Sequence, residues 1–367
     1  MRSQHIKIFA IAFLINIIGI FTIYSITSQS GDPALSVLFK KQMIWSLFGI
    51  TAFFIMASLS YRRIWDAAYI LYAAALFLLL LVALTGIIKL GAQRWIKILW
   101  LNFQPSELAK LAIVILLAKY FSYRSVRDTG SSLRSFGLAR GLLLPLALVL
   151  IPMGLIIEQP DLGTAMMLFF IFICMVYLSG VKLRYLLLLG GVILAASPVF
   201  WHFLRDYQKD RLLVFLNPNI DPLGAGYTVI QSKIAIGSGF LLGKGWLFGT
   251  QSQLRFLPES HTDFIFATFA EEWGWLGCVI LLSLYYLLIK YALDIASKTS
   301  DHFGKLLSLG ISVMFGVQLV VNICMTMGLA PVVGIPLILM SYGGSSILIT
   351  YIALGILANV NKERTVF

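Results

Sequence analysis

Long uninterrupted apolar runs dominate the chain and predict helices rather than strands. Ten runs are long enough, or nearly so, to cross a bilayer: residues 8–26, 43–59, 67–88, 108–121, 141–157, 162–180, 185–203, 264–289, 306–328 and 332–358. A spanning helix needs about 20 apolar residues, whereas a transmembrane barrel has short alternating segments. The pattern predicts an all-α polytopic membrane protein with about ten transmembrane helices. The fourth run is the weakest, because it is short and contains Lys110 and Lys119.

Composition agrees with this pattern and excludes the main alternatives. Hydrophobic residues make up 59% of the 367 residues, charged residues make up 12%, and the mean hydropathy is +0.91. Soluble domains contain about a quarter charged residues, so a soluble enzyme, a disordered chain and a nucleic-acid-binding domain are excluded. The net charge of +12 is then explained by basic cytoplasmic loops and by anionic lipid, with no role for nucleic acid.

The basic residues indicate which side of the membrane each loop occupies. An even number of spans places both termini on one side. If that side is cytoplasmic, its loops contain most of the lysines and arginines, among them Arg62, Arg63, Lys182, Arg184, Lys290, Lys298, Lys305 and Lys362. The short loops opposite hold only Lys40, Lys41, Lys89, Arg94 and Lys97. The positive-inside rule therefore predicts cytoplasmic N- and C-termini.

One connection, residues 204–262 between the seventh and eighth predicted helices, is much longer than the others. It is rich in glycine but too apolar to be disordered, and long loops in compact proteins usually have a function. We expect an extracytoplasmic loop that packs on the outer membrane face, partly as interfacial helix. The chain as a whole, 1–367, is predicted to be a single transmembrane domain.

Ionisable residues in or beside the apolar runs are candidate functional groups, because charge is costly in a bilayer. Glu107 and Lys110 share one face of the fourth helix, where they form either an ion pair or part of a polar cavity for an anionic substrate. Asp161 begins the sixth run as a helix cap or a functional group. Asp263 begins the eighth, where a capping carboxylate would stay ionised and could act as a general base. Glu272 should face away from Asp263.

Familiar soluble-enzyme motifs are absent. The four histidines are scattered without the spacing of a zinc site, so no protein metal site is predicted. The glycine-rich stretch 237–245 lacks the Ser or Thr that would hold magnesium in a phosphate loop.

Several longer segments resemble the SEDS family of membrane glycosyltransferases, which contains RodA and FtsW. The matching segments are 91–95, 103–110, 159–164, 257–267 and 334–346. The segments 221–239 and 243–253 are more similar to the RodA branch than to FtsW. The resemblance extends over essentially the whole chain.

The resemblance implies a peptidoglycan glycosyltransferase of the bacterial inner (plasma) membrane that polymerises lipid II into β-1,4-linked glycan strands at the outer leaflet. Its role would be cell elongation and cell shape. Asp263 matches the family's essential aspartate. The other matching positions are the polar pair of the fourth helix and the residues implied to line the substrate cavity, which are Glu107, Lys110, Arg94, Asp161 and Arg211.

The implied chemistry is a single inverting displacement, because the donor is an α-linked pyrophosphate and the product is β-linked. One base suffices to deprotonate the acceptor hydroxyl, and Asp263 is the candidate. The undecaprenyl pyrophosphate leaving group requires cations, for which Lys110, Arg94 and Arg211 are candidates. Assistance by a divalent cation, Mg²⁺ or Mn²⁺, is left open.

The implied partners are membrane lipid, a class B penicillin-binding protein acting as transpeptidase, and other proteins of an elongation complex. Two alternatives from other functional classes remain: a lipid II flippase, and a noncatalytic membrane scaffold for a transpeptidase. Both predict that polymerisation is either absent or insensitive to Asp263→Ala.

Overall fold

The protein is described by a computed structural model, which covers residues 3–28, 33–89, 92–98, 101–127, 137–222 and 224–363. Its α-helices are α1 (Ser3–Ser28), α2 (Pro33–Ser58), α3 (Tyr61–Thr85), α4 (Pro105–Arg127), α5 (Leu144–Glu158), α6 (Leu162–Leu178), α7 (Leu183–Phe203), α8 (Asp206–Leu216), α9 (Ala225–Ser238), α10 (Thr250–Gln253), α11 (Ile265–Lys298), α12 (His302–Thr326) and α13 (Gly344–Glu363). Residue 91 of the 91–95 motif lies outside the described residues.

The helices confirm the prediction of an all-α polytopic membrane protein. Each of the ten apolar runs contains or overlaps a helix, and among the described residues seven helices are long and apolar enough to cross a membrane. The α6 helix and the first part of α7 are apolar but shorter. Because α4 contacts α3, α6 and α12 and is buried along most of its length, protein surrounds it on several sides. It can therefore tolerate charged residues that a lipid-facing helix could not.

A small antiparallel sheet between α3 and α4 was not predicted. It contains β1 (Ile87–Lys89), β2 (Ala92–Ile98) and β3 (Leu101–Phe103), in the order β1-β2-β3. Ile98 pairs with Leu101 in the β2–β3 register. The central strand β2 contains Arg94, so the sheet gives this arginine a fixed position beside the start of α4.

The tenth predicted helix was wrong for residues 332–343. The chain is irregular there, and α13 begins only at Gly344. Gly334 has a φ of 73°, a left-handed conformation that glycine adopts readily, and Pro336 lacks the N–H that a helix requires. Irregular backbone at membrane depth is tolerated where protein surrounds it, and Ile335 and Leu337 are buried.

The long connection 204–262 contains α8, α9 and α10, and the chain after α9 reaches α11. Gly274 interrupts α11 with a φ of 62° and a ψ of −164°. The N–H of Lys244 donates to the carbonyl of Glu271 at 2.9 Å, and the N–H of Trp275 donates to the carbonyl of Phe240 at 2.9 Å. Part of this connection is thus inserted at the kink of α11.

The burial of the long helices distinguishes central from peripheral positions. In the most apolar part of α13, 89% of the residues are buried inside the protein, compared with 22% in the corresponding part of α3. The α13 helix packs mainly against α2 and also contacts α1 and α4. The irregular chain before α13 therefore enters the interior, where it meets the residues that precede α11.

Candidate active site

Asp263 lies immediately before α11 but does not cap it. The N-cap position of α11 is Phe264, which makes no side-chain capping hydrogen bond, so the prediction of an Asp263 cap was wrong. The residue is only partly buried. Among the described residues, no group donates a hydrogen bond to its carboxylate, and the side chain is left available for other contacts.

The backbone around Asp263, in contrast, is held tightly. The carbonyls of residues 261–263 each accept a hydrogen bond from a distant part of the chain. Asn322 Nδ2 lies 3.0 Å from the Asp263 carbonyl oxygen. Ser341 Oγ donates to the Thr262 carbonyl at 2.6 Å. The N–H of Tyr342 donates to the His261 carbonyl at 2.8 Å. The irregular 331–343 segment and α12 therefore determine where the carboxylate is placed.

Charged side chains surround the Asp263 carboxylate. Burial is the largest cause that raises its pKa, and the negative charge of Glu259 is the second. Arg211 and Arg94 lower the pKa and Asp161 raises it, and the net result is a pKa of about 7. The expectation that a helix N-terminus holds the Asp263 carboxylate ionised does not apply, because Asp263 does not cap α11. Its pKa lies close to neutral pH instead. The structure thus brings Arg94, Asp161, Arg211 and Asp263 into one electrostatic neighbourhood.

Asp161 caps α6, which is one of the two roles, helix cap or functional group, that the sequence left open. Its Oδ1 accepts the Thr164 N–H at 3.2 Å and its Oδ2 accepts Thr164 Oγ1 at 2.9 Å. Gln104 Nε2 donates to Oδ2 at 3.3 Å, and Arg94 Nη1 lies 3.8 Å from Oδ1. Its carboxylate is almost fully used in structural contacts.

The two arginines are oriented by backbone carbonyls. Arg94 donates to the carbonyl of Gln159 at 3.2 Å and to that of Pro160. Arg211 donates from Nη1 to the carbonyl of Val332 at 3.0 Å, and its guanidinium lies 5.9 Å from the centre of the Tyr207 ring. Arginine has five N–H donors, so both residues retain capacity for an anionic ligand.

Glu107 and Lys110 form an ion pair, which is one of the two alternatives that the sequence left open. The Lys110 Nζ–Glu107 Oε1 distance is 2.8 Å, and the two side chains are 3% and 5% exposed. Lys110 Nζ also lies 3.2 Å from Gln318 Oε1. Gln318 Nε2 in turn donates to the carbonyl of Pro336 at 2.8 Å. The pair is thus connected to the 331–343 segment, which lies against the Asp263 backbone.

Gln318 and Asn322 were missed by the sequence analysis, which considered ionisable residues only. A signal was present, because two amides four residues apart in the apolar run 306–328 lie on one face of a helix. Glu259 was treated only as part of a motif. Its Oε2 accepts Thr262 Oγ1 at 2.9 Å, so it belongs to the turn that carries Asp263.

The acidic pair within α11 belongs to another part of the molecule. Glu272 accepts a hydrogen bond from Ser25 on α1, and Lys244 Nζ lies 2.6 Å from Glu271 Oε1. These partners agree with the prediction that Glu272 faces away from Asp263. In the part of the chain that the structure describes, no three His, Cys, Asp or Glu side chains form a metal-binding group.

Comparisons with known proteins identify the family of the chain. Residues 5–366 match the family of cell cycle proteins that comprises FtsW, RodA and SpoVE. The peptidoglycan glycosyltransferase MrdB of Escherichia coli (strain K12) is 43% identical over 318 residues, which cover 86% of this chain and 83% of the relative.

Two solved structures share the fold. One is a peptidoglycan synthase complex that coordinates polymerization and crosslinking. Its matching chain has 33% identity, a TM-score of 0.77, and coverage of 97% of this chain and 98% of that chain. The other is the rod shape determining protein RodA of Thermus thermophilus, with 30% identity, a TM-score of 0.71, and coverage of 97% and 96%. The chain therefore belongs to the SEDS family and is a multi-pass membrane peptidoglycan glycosyltransferase.

Proposed function

We propose that this glycosyltransferase polymerises lipid II into β-1,4-linked glycan strands at the outer leaflet of the bacterial plasma membrane, with Asp263 as general base. The role would be wall synthesis for cell elongation and cell shape. The observation that carries the proposal is the Asp263 carboxylate, which accepts no hydrogen bond from the described residues although its backbone carbonyl is held by Asn322.

The pKa of Asp263 supports its assignment as the general base. A general base works best when its pKa is close to the working pH, and burial raises the pKa of Asp263 to about 7. In the proposed step, the acceptor 4-hydroxyl attacks the anomeric carbon of the donor and its proton passes to Asp263. The bond from that carbon to the pyrophosphate breaks, and its electron pair leaves with undecaprenyl pyrophosphate.

Cationic side chains would stabilise the leaving group. Arg94 and Arg211 are the proposed phosphate ligands, because both lower the pKa of Asp263 and therefore lie within electrostatic range of it. Preorganised cations of this kind stabilise developing negative charge. Asp161 would orient Arg94. The buried pair Glu107–Lys110 would support the cavity through Gln318 rather than by direct contact.

The proposed partner is a class B penicillin-binding protein that crosslinks the new strands, together with other proteins of an elongation complex. The proposal draws on the similarity to a chain of a solved peptidoglycan synthase complex, which coordinates polymerization with crosslinking.

The test is polymerisation of lipid II by purified protein, with and without its cognate transpeptidase carrying an inactivated crosslinking site. Wild type should make glycan strands, and folded Asp263→Asn should make none. Asp206→Asn is the matched control, since the Asp206 side chain is 99% exposed, and it should polymerise normally. Strands from Asp263→Asn at the wild-type rate would contradict the proposal. If wild type makes no glycan strands even with the partner, transport of fluorescent lipid II in vesicles would test whether the protein is a flippase. Failure of both assays would favour a noncatalytic scaffold for a transpeptidase.

A further inference from the structure

Two buried amides on α12 contact the irregular segment 331–343, and one of them, Asn322, also contacts the Asp263 backbone. Gln318 is 3% exposed and Asn322 is 0% exposed, and their spacing places both side chains on one face of the helix. Asn322 Nδ2 lies 3.0 Å from the carbonyl oxygen of Asp263 and 2.7 Å from that of Ile335. One amide nitrogen therefore ties together two chain segments that are far apart in sequence.

The contacts of Asn322 are made by its side-chain nitrogen and not by its oxygen. A side-chain NH₂ group has two N–H donors, and Asn322 directs both to main-chain carbonyls. Its Oδ1 is buried and has no hydrogen-bond partner. Leaving a polar atom unpaired in the interior is costly, so an amide at this position is not explained by packing alone.

Gln318 extends this connection to the buried ion pair. Its Nε2 lies 2.8 Å from the Pro336 carbonyl oxygen, one residue after the carbonyl held by Asn322. Its Oε1 accepts from Lys110 Nζ at 3.2 Å, and Lys110 pairs with Glu107 at 2.8 Å. A continuous series of polar contacts therefore runs from α4 through α12 to the residues that carry Asp263.

We propose that Asn322 and Gln318 are positioning residues for glycosyl transfer, forming an amide clamp that fixes Asp263 relative to the Glu107–Lys110 pair. Neither amide takes part in the bond-making step. The clamp acts through the backbone and holds the carboxylate at the acceptor hydroxyl. This inference rests on the proposed role of Asp263 as the base.

The first test compares Asn322→Leu with Ser312→Ala in the lipid II assay. Ser312 is a matched control because it lies on the same helix, is 2% exposed and makes only a local hydrogen bond, to the Ser308 carbonyl at 2.7 Å. We expect Asn322→Leu to lower kcat roughly 10- to 100-fold, because small misplacements of catalytic groups have effects of this size. KM should change less than about threefold, since the proposed phosphate ligands remain.

The pH dependence of kcat provides a readout that a purely structural role would not move. A released carboxylate becomes better hydrated, which shifts the midpoint of its titration to lower pH. Asn322→Leu should therefore show a lower midpoint, whereas Ser312→Ala should retain the wild-type midpoint. A folded Asn322→Leu whose kcat and midpoint match those of Ser312→Ala would overturn the proposal, as would an effect confined to KM.

Two further variants decide the question if Asn322→Leu does not fold. Asn322→Asp keeps the shape of the side chain but has no donor when ionised, so it should lose kcat to a similar extent. Gln318→Met removes the contact to Pro336 while leaving Asn322 in place, and its effect should be smaller. Wild-type kcat and pH midpoint in both variants would overturn the clamp.

Asp263→Asn in the same assay separates the two levels of inference. If Asp263→Asn polymerises at the wild-type rate, the proposed base is wrong and the clamp falls with it. If Asp263→Asn is inactive while the folded clamp variants behave as wild type, only the clamp is wrong.

Discussion

Two aspartates that precede helices, Asp161 and Asp263, are alike in sequence but differ in the folded protein. Each could be a helix cap or a catalytic group. The Asp161 carboxylate accepts hydrogen bonds from Thr164 and Gln104 and pairs with Arg94. The Asp263 carboxylate accepts none from the described residues. The Asp161 carboxylate is therefore occupied by structural contacts. Burial without such partners raises the pKa of the Asp263 carboxyl to about 7, so that it can exchange a proton near neutral pH.

The largest expected effect is on the activity of Asp263 variants. Asp263→Asn should lower the rate of lipid II polymerisation by roughly 10²- to 10⁴-fold, the usual contribution of a general base. Its thermal stability in detergent should not fall below wild type at pH 8. Burial raises the folded-state pKa of Asp263 to about 7 from 3.8, so the protonated form favours folding, and this contribution is lost as pH rises from about 4 to 7. A loss of thermal stability as large as the loss of activity would show that Asp263, like Asp161, has a structural role.

Asp161→Ala should show the opposite balance. Removing a helix cap costs about 1 kcal/mol, so the variant should unfold at a lower temperature than wild type and Asp263→Asn. Its activity should fall less than that of Asp263→Asn, because Arg94 keeps its contacts to backbone carbonyls. Thermal unfolding and polymerisation rates on the same preparations measure both effects.

The pH profile tests the electrostatic surroundings of Asp263. Polymerisation should increase with pH around a midpoint of about 7, because burial raises the pKa of the carboxyl to about 7 and only the ionised form accepts the proton. Glu259→Gln removes a charge that raises this pKa and should move the midpoint to lower pH. Arg211→Gln should move it to higher pH. Burial lowers the pKa of His261 from its usual 6.5. This histidine should therefore titrate at a lower pH than the midpoint expected for Asp263. Midpoints that do not move in either variant would show that another group titrates.

Gly334→Ala tests the space above the Asp263 carboxylate, with Gly245→Ala as a matched control. Both glycines have positive φ, 73° and 100°, so each alanine variant should lose about 1–2 kcal/mol of stability. A Cβ at Gly334 would lie 3.4 Å from Asp263 Oδ2, and one at Gly245 would lie 3.4 Å from the Phe248 ring. Only the Gly334 variant should lose activity beyond its stability loss, by roughly tenfold. Equal activity of the two folded variants would contradict this.

The smallest expected effect is that of Arg94→Lys. Lysine keeps the positive charge but loses the planar fork that contacts the Gln159 and Pro160 carbonyls. We expect kcat to change little, because lysine keeps the positive charge that would stabilise the leaving group. The KM for lipid II should rise roughly two- to tenfold, because the lost fork would hold the pyrophosphate in both ground and transition states. A fall in kcat at constant KM would contradict this prediction and would show that the guanidinium fork itself acts in the transition state.

The candidate site residues were proposed from the sequence, but their arrangement could not be. The apolar runs predicted the helices because backbone groups in a bilayer must pair within a segment. The cost of charge in a bilayer singled out Asp263, whereas Arg94 and Arg211 became candidates only through the resemblance to the SEDS family. Gln318 and Asn322 were missed because only ionisable residues were considered, although two amides four residues apart in an apolar run share one face of a helix. Which carbonyls they contact depends on the fold. The irregular segment 331–343 was missed because it is as apolar as a helix.

Sequence alone determined the membrane class, the apolar runs in which the long helices form and the ionisable residues that lie beside those runs. These depend on hydropathy and charge, which are properties of each segment by itself. Tertiary structure decided which aspartate is a cap and which is free, because that depends on donors brought from distant segments: Thr164 and Gln104 for Asp161, and no described donor for Asp263. It also decided the pKa of Asp263, since desolvation and the charges of Glu259 and Arg211 act only after the chain has folded around it.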